Sequence, residues 1–184
     1  MRLTDEQYEE IKQTVMETFQ EYDIKCIPIN AFEVAIKMGI SVIPYSALSD
    51  EKQEVARRIS IDGYSVETSD YEWIIYYNDS CKSYGRINQT IMHEIGHFVL
   101  GHTEECDQEE AEAEAKFFAK YALAPPPLIH NLKLEITVQS IMEVFDLSYQ
   151  AANNAYGYYK MWLQYGECDY TEYELKILRL FEAA

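Results

Sequence analysis

His93 and His97 stand four residues apart in the stretch Thr90–His102, TIMHEIGHFVLGH, with Glu94 directly after the first histidine. On a helix of 3.6 residues per turn, the two rings project from one side, a turn apart. That spacing lets both imidazoles reach one tetrahedral Zn2+ at about 2.0–2.1 Å. The Glu94 carboxylate then falls beside the ion rather than on it, where a general base for a water belongs. Ile91, Ile95, Phe98 and Val99 give the same helix an apolar face, so the histidines need partners in a buried setting. The competing reading is a pair of core histidines bonded to main-chain carbonyls. Gly96 leaves room for another element to approach closely.

A catalytic centre of this type needs three protein ligands and one open position. The acidic segment 104–124 offers Asp107, Glu109, Glu110, Glu112 and Glu114. Read as a helix, its inward face is Ala111, Ala115, Phe118, Ala119 and Ala122. Glu112 lies roughly 60° from the centre of that face and Glu114 roughly 100°. Ala115 and Ala119 follow Glu112 at i+3 and i+7, and small residues there permit close packing against the histidine helix. Glu112 is therefore the first choice for third ligand, Glu114 the second and Glu109 the third. Cys106 reads as a free thiol in the turn between the two helices, with thiolate ligation the alternative. His102 reads as lying past the helix end and out of reach of the ion, and His130 as a surface or partly packed residue.

Several elements must position these groups. Thr4 and Gln7 form a capping box before Tyr8, Ile11, Val15, Phe19 and Tyr22, which recur at helical spacing, so 4–22 is a helix. Asn30 caps AFEVAIKM, and Gly39 ends it. ISVIPY (40–45) reads as a strand and Ser49–Arg57 as a short helix. Within 58–79, Asp62-Gly63 between two alternating runs predicts a hairpin turn. YEWIIYYN (71–78) is the strand before the site. Asn88 is the predicted start of the histidine helix, which ends near Gly101. PPP at 125–127 stops the acidic helix. Three helices follow, at about 137–145, 148–164 and 171–182. The class is α+β: a small mixed or antiparallel sheet packed on helices.

Composition narrows the function. The chain has 184 residues and a net charge of −17, which repels nucleic acid and anionic membrane and favours a basic protein partner. Its sixteen tyrosines read as an amphipathic shell around the core. Cys26, Cys81, Cys106 and Cys168 form no C-x-x-C pair, and the charged start MRLTDEQYEEIKQ is no signal peptide. No apolar run approaches the roughly 20 residues of a membrane span. These features predict reduced thiols and a cytoplasmic protein. SIMEVFDLSYQAANNAY has helix–turn–helix rhythm, but its second helix offers only Lys160 for phosphates, so it reads as a packing unit or protein-docking element.

TIMHEIGHFVLGH, a short acidic gap and then EAEAKFFAKYALAP resemble the ImmA/IrrE family of zinc metallopeptidases. That family shows H-E-x-G-H followed by E-x-x-A-[ND]-x-F-A-x-x-L-L-M-P. IPINAFEVAIKMGISV, IIYYN, GRINQTIMHEIGH and VFDLSYQAANNAY are also similar, so the resemblance spans roughly 27–156. It implies a zincin-like active-site helix, His93, His97 and Glu112 on Zn2+, and Glu94 as the general base. The expected organisation is a zinc peptidase domain with an N-terminal helix over 1–130 and a C-terminal helical subdomain over 131–184 packed on it. Lys116 departs from the usual Asn or Asp, which supports a histidine ligand; lysine cannot accept a hydrogen bond. Another residue must orient the imidazoles, or the site is weaker. Ala124 replaces Met. The expected function is an endopeptidase for a specific protein, a cognate DNA-binding repressor by the resemblance. The alternative is a non-catalytic zinc-binding regulatory module. The strand EWIIYYN is the expected edge for an extended substrate, and the residue stabilising the oxyanion stays open among His102 and nearby tyrosines.

Overall fold

The computed structural model describes residues 2–70, 72–81, 83–103, 105–166 and 169–182. Tyr71 and Cys168, read above as a strand start and a reduced thiol, lie outside the described residues. The first helix, α1 (Asp5–Glu21), starts at the capping box: Thr4 Oγ1 accepts from the Gln7 amide, and Gln7 Oε1 accepts from the Thr4 amide. Ile11, Val15, Met16 and Phe19 are its buried stripe. Asn30 caps α2 (Ala31–Lys37) by accepting from the amides of Phe32 and Glu33. Gly39 then takes φ +75°, a left-handed conformation that costs glycine nothing.

Strand β1 (Ser41–Pro44) leads through a single 3-10 turn into α3 (Asp50–Ile59). The predicted hairpin at Asp62-Gly63 is not there. The Ser60 hydroxyl instead accepts from the amides of Asp62 and Gly63, bending the chain directly from α3 into β2 (Gly63–Glu67). A Cβ on Gly63 would lie 2.8 Å from the Tyr76 carbonyl oxygen, so only glycine fits this approach. The antiparallel turn comes later, through 68–72, before β3 (Trp73–Tyr77). The sheet is mixed, ordered β1-β3-β2, with β1 parallel and β2 antiparallel to β3.

The histidine helix α4 (Tyr84–Val99) begins four residues before Asn88, with Ser83 as its cap. Asn88 is buried instead. Its Oδ1 accepts from the Ala31 amide at 2.7 Å and its Nδ2 donates to the Ile29 carbonyl at 3.0 Å. It thereby ties the start of α2 to α4. Asp107 caps α5 (Gln108–Leu123), and the prolines that stop α5 open a short helix, α6 (Pro126–His130), which the sequence reading lacked. Proline suits a first turn because its missing amide hydrogen has no partner there. Helices α7 (Val138–Phe145), α8 (Tyr149–Tyr165) and α9 (Glu172–Glu182) follow close to their predicted bounds.

One apolar cluster runs through the molecule from Leu3 to Leu178. Helices α4 and α5 cross at Gly96, where an added Cβ would stand 3.3 Å from Ala115 Cα. Ala115, Ala119 and Ala122 are fully buried, so small residues on both sides bring these helices together. Among the described residues, no helix is long and apolar enough to cross a membrane.

Candidate metal centre

The α4–α5 crossing brings three side chains to one point. His93 Nε2 and His97 Nε2 are 3.1 Å apart. Glu112 places Oε2 3.6 Å from His93 Nε2 and Oε1 3.4 Å from His97 Nε2. Three tetrahedral ligands at about 2.0–2.1 Å from an ion stand about 3.3–3.4 Å from one another. The observed spacings bracket that edge length, so the donor set fits a small tetrahedral cation. The Glu112 side chain is half exposed. Glu114 and Glu109, the second and third choices, are not in this group.

Electrostatics agree with ligation. Burial, with His93 and His102 beside it, pushes the His97 ring down to about 4, so it stays neutral with a lone pair to offer. Burial works to raise Glu112, but His93, His97 and Lys116 outweigh it and hold the carboxyl low. Lys116 Nζ lies 3.4 Å from Glu112 Oε2, so Lys116 pairs with the Glu112 carboxylate rather than with a histidine.

Glu94 follows His93 but is not one of the three converging groups. It is 8% exposed, and burial pushes its carboxyl above the usual range. Ser65 Oγ, from β2, donates to Glu94 Oε2 at 2.7 Å and opposes that rise. Only the strand register brings Ser65 here, so no local pattern could mark it.

His102 lies beyond the end of α4, as expected, but it is not remote from the site. Gly101 at φ +69° turns the chain back, and His102 Nδ1 lies 2.9 Å from His97 Nδ1. Its Nε2 lies 2.9 Å from Glu114 Oε2. Sequence spacing hides this pairing; a histidine just past a helix-ending glycine is its local signal. Cys106 stays outside the cluster, exposed, with Sγ accepting from the Thr103 amide. His130 packs on Trp162 and Tyr170, its Nδ1 2.9 Å from Tyr159 Oη.

A cleft of about 990 Å3 opens onto Glu94, His97 and Glu112. One wall is β2; Val66, Trp73 and Phe98 give the cleft apolar surface. The expected substrate edge is therefore misplaced. β3, which lies within EWIIYYN, is paired on both sides, and among the described residues β2 is the edge strand at the cleft.

The sequence pattern of the Peptidase M78 family, the IrrE N-terminal-like domain, matches residues 37–156. The chain belongs to this metallopeptidase family. A comparison with curated proteins returns no match. The matched region holds the whole sheet and both helices that carry the three converging side chains, while α1 precedes it and α9 follows it.

Proposed function

We propose that the protein is a zinc-dependent endopeptidase, with His93, His97 and Glu112 as the ligands and Glu94 as general base. The observation that supports this most is Glu94: a buried carboxylate, held by Ser65 and set beside three converged donors. A purely structural ion would need no such base and would close its fourth position. The cation would supply Lewis acidity toward a water and toward the scissile carbonyl. Ser65 occupies Glu94 Oε2, which leaves Oε1 to take the proton from the attacking water and return it to the leaving amine. The raised carboxyl makes Glu94 a better proton acceptor at neutral pH.

An extended segment would add to the β2 edge by main-chain hydrogen bonds, with apolar side chains against Val66, Trp73 and Phe98. The net charge of −17 favours a basic substrate, and a cognate DNA-binding repressor is the proposed one. Direct nucleic-acid binding is not proposed. The second reading is a non-catalytic zinc-binding module that docks a protein partner. Lys116 on Glu112 favours it, because the ammonium withdraws charge from a ligand.

The test incubates wild type and Glu94→Gln, both zinc-loaded, with the repressor encoded nearest to the protein. Cleavage by wild type alone supports the peptidase. Cleavage by both variants removes Glu94 from its role, and binding without cleavage by either favours the docking module.

A further inference from the structure

Lys116 cannot support a histidine ligand by accepting a bond, yet His97 is not unsupported. A line of side chains leads away from it: His97 Nδ1 to His102 Nδ1 at 2.9 Å, His102 Nε2 to Glu114 Oε2 at 2.9 Å, and Glu114 Oε1 to Gln7 Nε2 at 3.1 Å. The far end has a fixed polarity. Gln7 Oε1 accepts from the Thr4 amide within the α1 capping box, so Gln7 Nε2 is the atom that faces Glu114 and donates to it. A carboxylate only accepts, so His102 must donate through Nε2. A neutral His102 then offers a bare Nδ1, and His97 must donate to it from its own Nδ1. That leaves the His97 Nε2 lone pair directed at His93 Nε2 and Glu112. The reverse polarity would put a hydrogen on His97 Nε2 and block ligation.

We infer that Gln7, Glu114 and His102 are positioning residues whose directional hydrogen-bond chain holds His97 in the Nδ1–H tautomer; the inference rests on the metal-centre reading above. The role usual for a carboxylate or amide one contact from the ligand is here passed through a second imidazole. His102 is only 9% exposed and Glu114 21%, so water competes little for these bonds. Glu114, a candidate ligand by sequence, thus acts two contacts from His97.

Two measurements test this. Long-range 1H–15N correlation on the metal-free wild type, labelled at histidine, reads each ring's tautomer without zinc or substrate. His97 is expected as Nδ1–H and His102 as Nε2–H; His97 as Nε2–H overturns the inference. Chelator competition then gives zinc affinity for His102→Leu, His102→Asn and Glu114→Gln. His102→Leu should weaken binding roughly 10–100-fold, the range for lost support of a ligand. His102→Asn, whose Oδ1 keeps an acceptor near the Nδ1 position, should recover most of that loss. Glu114→Gln adds a donor where two donors already converge, and should weaken binding about tenfold. A folded His102→Leu that binds zinc like wild type, or Asn no better than Leu, overturns it. If His102→Leu does not fold, the wild-type tautomers and Glu114→Gln decide. Wild type that shows the expected tautomers but binds no zinc would sink the metal reading and leave the chain standing.

Discussion

Gly96→Ala should damage the metal centre from behind. The new Cβ would meet Phe118 Cδ1 at 3.1 Å, and Ala115 Cα and Phe118 Cβ at 3.3 Å. Carbon atoms pack best at about 3.5–4.0 Å, so something must yield by about 0.2–0.4 Å. Phe118 is 1% exposed, and Ala115 Cα belongs to the main chain, so α5 itself must retreat. Glu112 stands one turn before Ala115 and moves with it. Metal sites tolerate about 0.2 Å in ligand distance, so zinc affinity should fall about tenfold, near 1.4 kcal/mol. Overpacking costs about 1–3 kcal/mol, and the helix preference for alanine offsets about 0.5–1 of it. The metal-free protein should lose about 1–2 kcal/mol, and its Tm should drop roughly 2–8 °C at this chain length. Gly157→Ala is the control: no atom of the described residues lies within 4 Å of its added Cβ in α8, so the same substitution should stabilise by about 0.5–1 kcal/mol. Thermal unfolding of both variants with chelator competition reads all these quantities. A Gly96→Ala protein as stable as Gly157→Ala, with wild-type zinc affinity, would refute the close-packing account.

Glu94→Gln should cut peptidase turnover by about 10²–10⁴-fold while retaining zinc, measured by turnover and metal content. The same variant should stabilise the metal-free fold near neutral pH. The wild-type carboxyl is raised by burial, so the charged folded form is disfavoured above its folded pKa. The advantage of glutamine should shrink as pH falls through that value and wild type takes up its proton, as denaturant midpoints against pH would show. Ser65→Ala removes a bond that favours the Glu94 carboxylate, so the acid limb of the pH–rate profile should move to higher pH. Asn88→Ala would leave the buried Ala31 amide and Ile29 carbonyl unpaired and should cost about 2–4 kcal/mol in denaturant unfolding.

His93, His97 and Glu112 were legible because helix periodicity is local: spacing and small residues suffice to say which side chains can meet across two helices. Caps at Thr4 and Asn30 were legible for the same reason. What failed depended on pairing at long range. Asp62-Gly63 looks like a hairpin turn, but Ser60 captures its amides and the real turn lies at 68–72. YEWIIYYN has strand composition, yet composition does not say that β3 is central and β2 is the edge. Asn88 resembles a cap but closes a contact with residues 29 and 31, far back in the chain. The His102–Glu114 pair needed a reversal at Gly101 that spacing alone does not encode.

The segment α1 precedes the region shared with the family, yet the two are not separable pieces of a machine. Its Ile11, Val15 and Phe19 are sealed from solvent, and its Gln7 amide grips both Glu110 and Glu114 on α5. Inheritance and folding therefore draw their borders in different places here. A module cut at residue 37 and grafted elsewhere would take His93, His97 and Glu112 along but leave behind Gln7 and its bonds to Glu110 and Glu114. Any transplant of this centre should begin no later than Thr4.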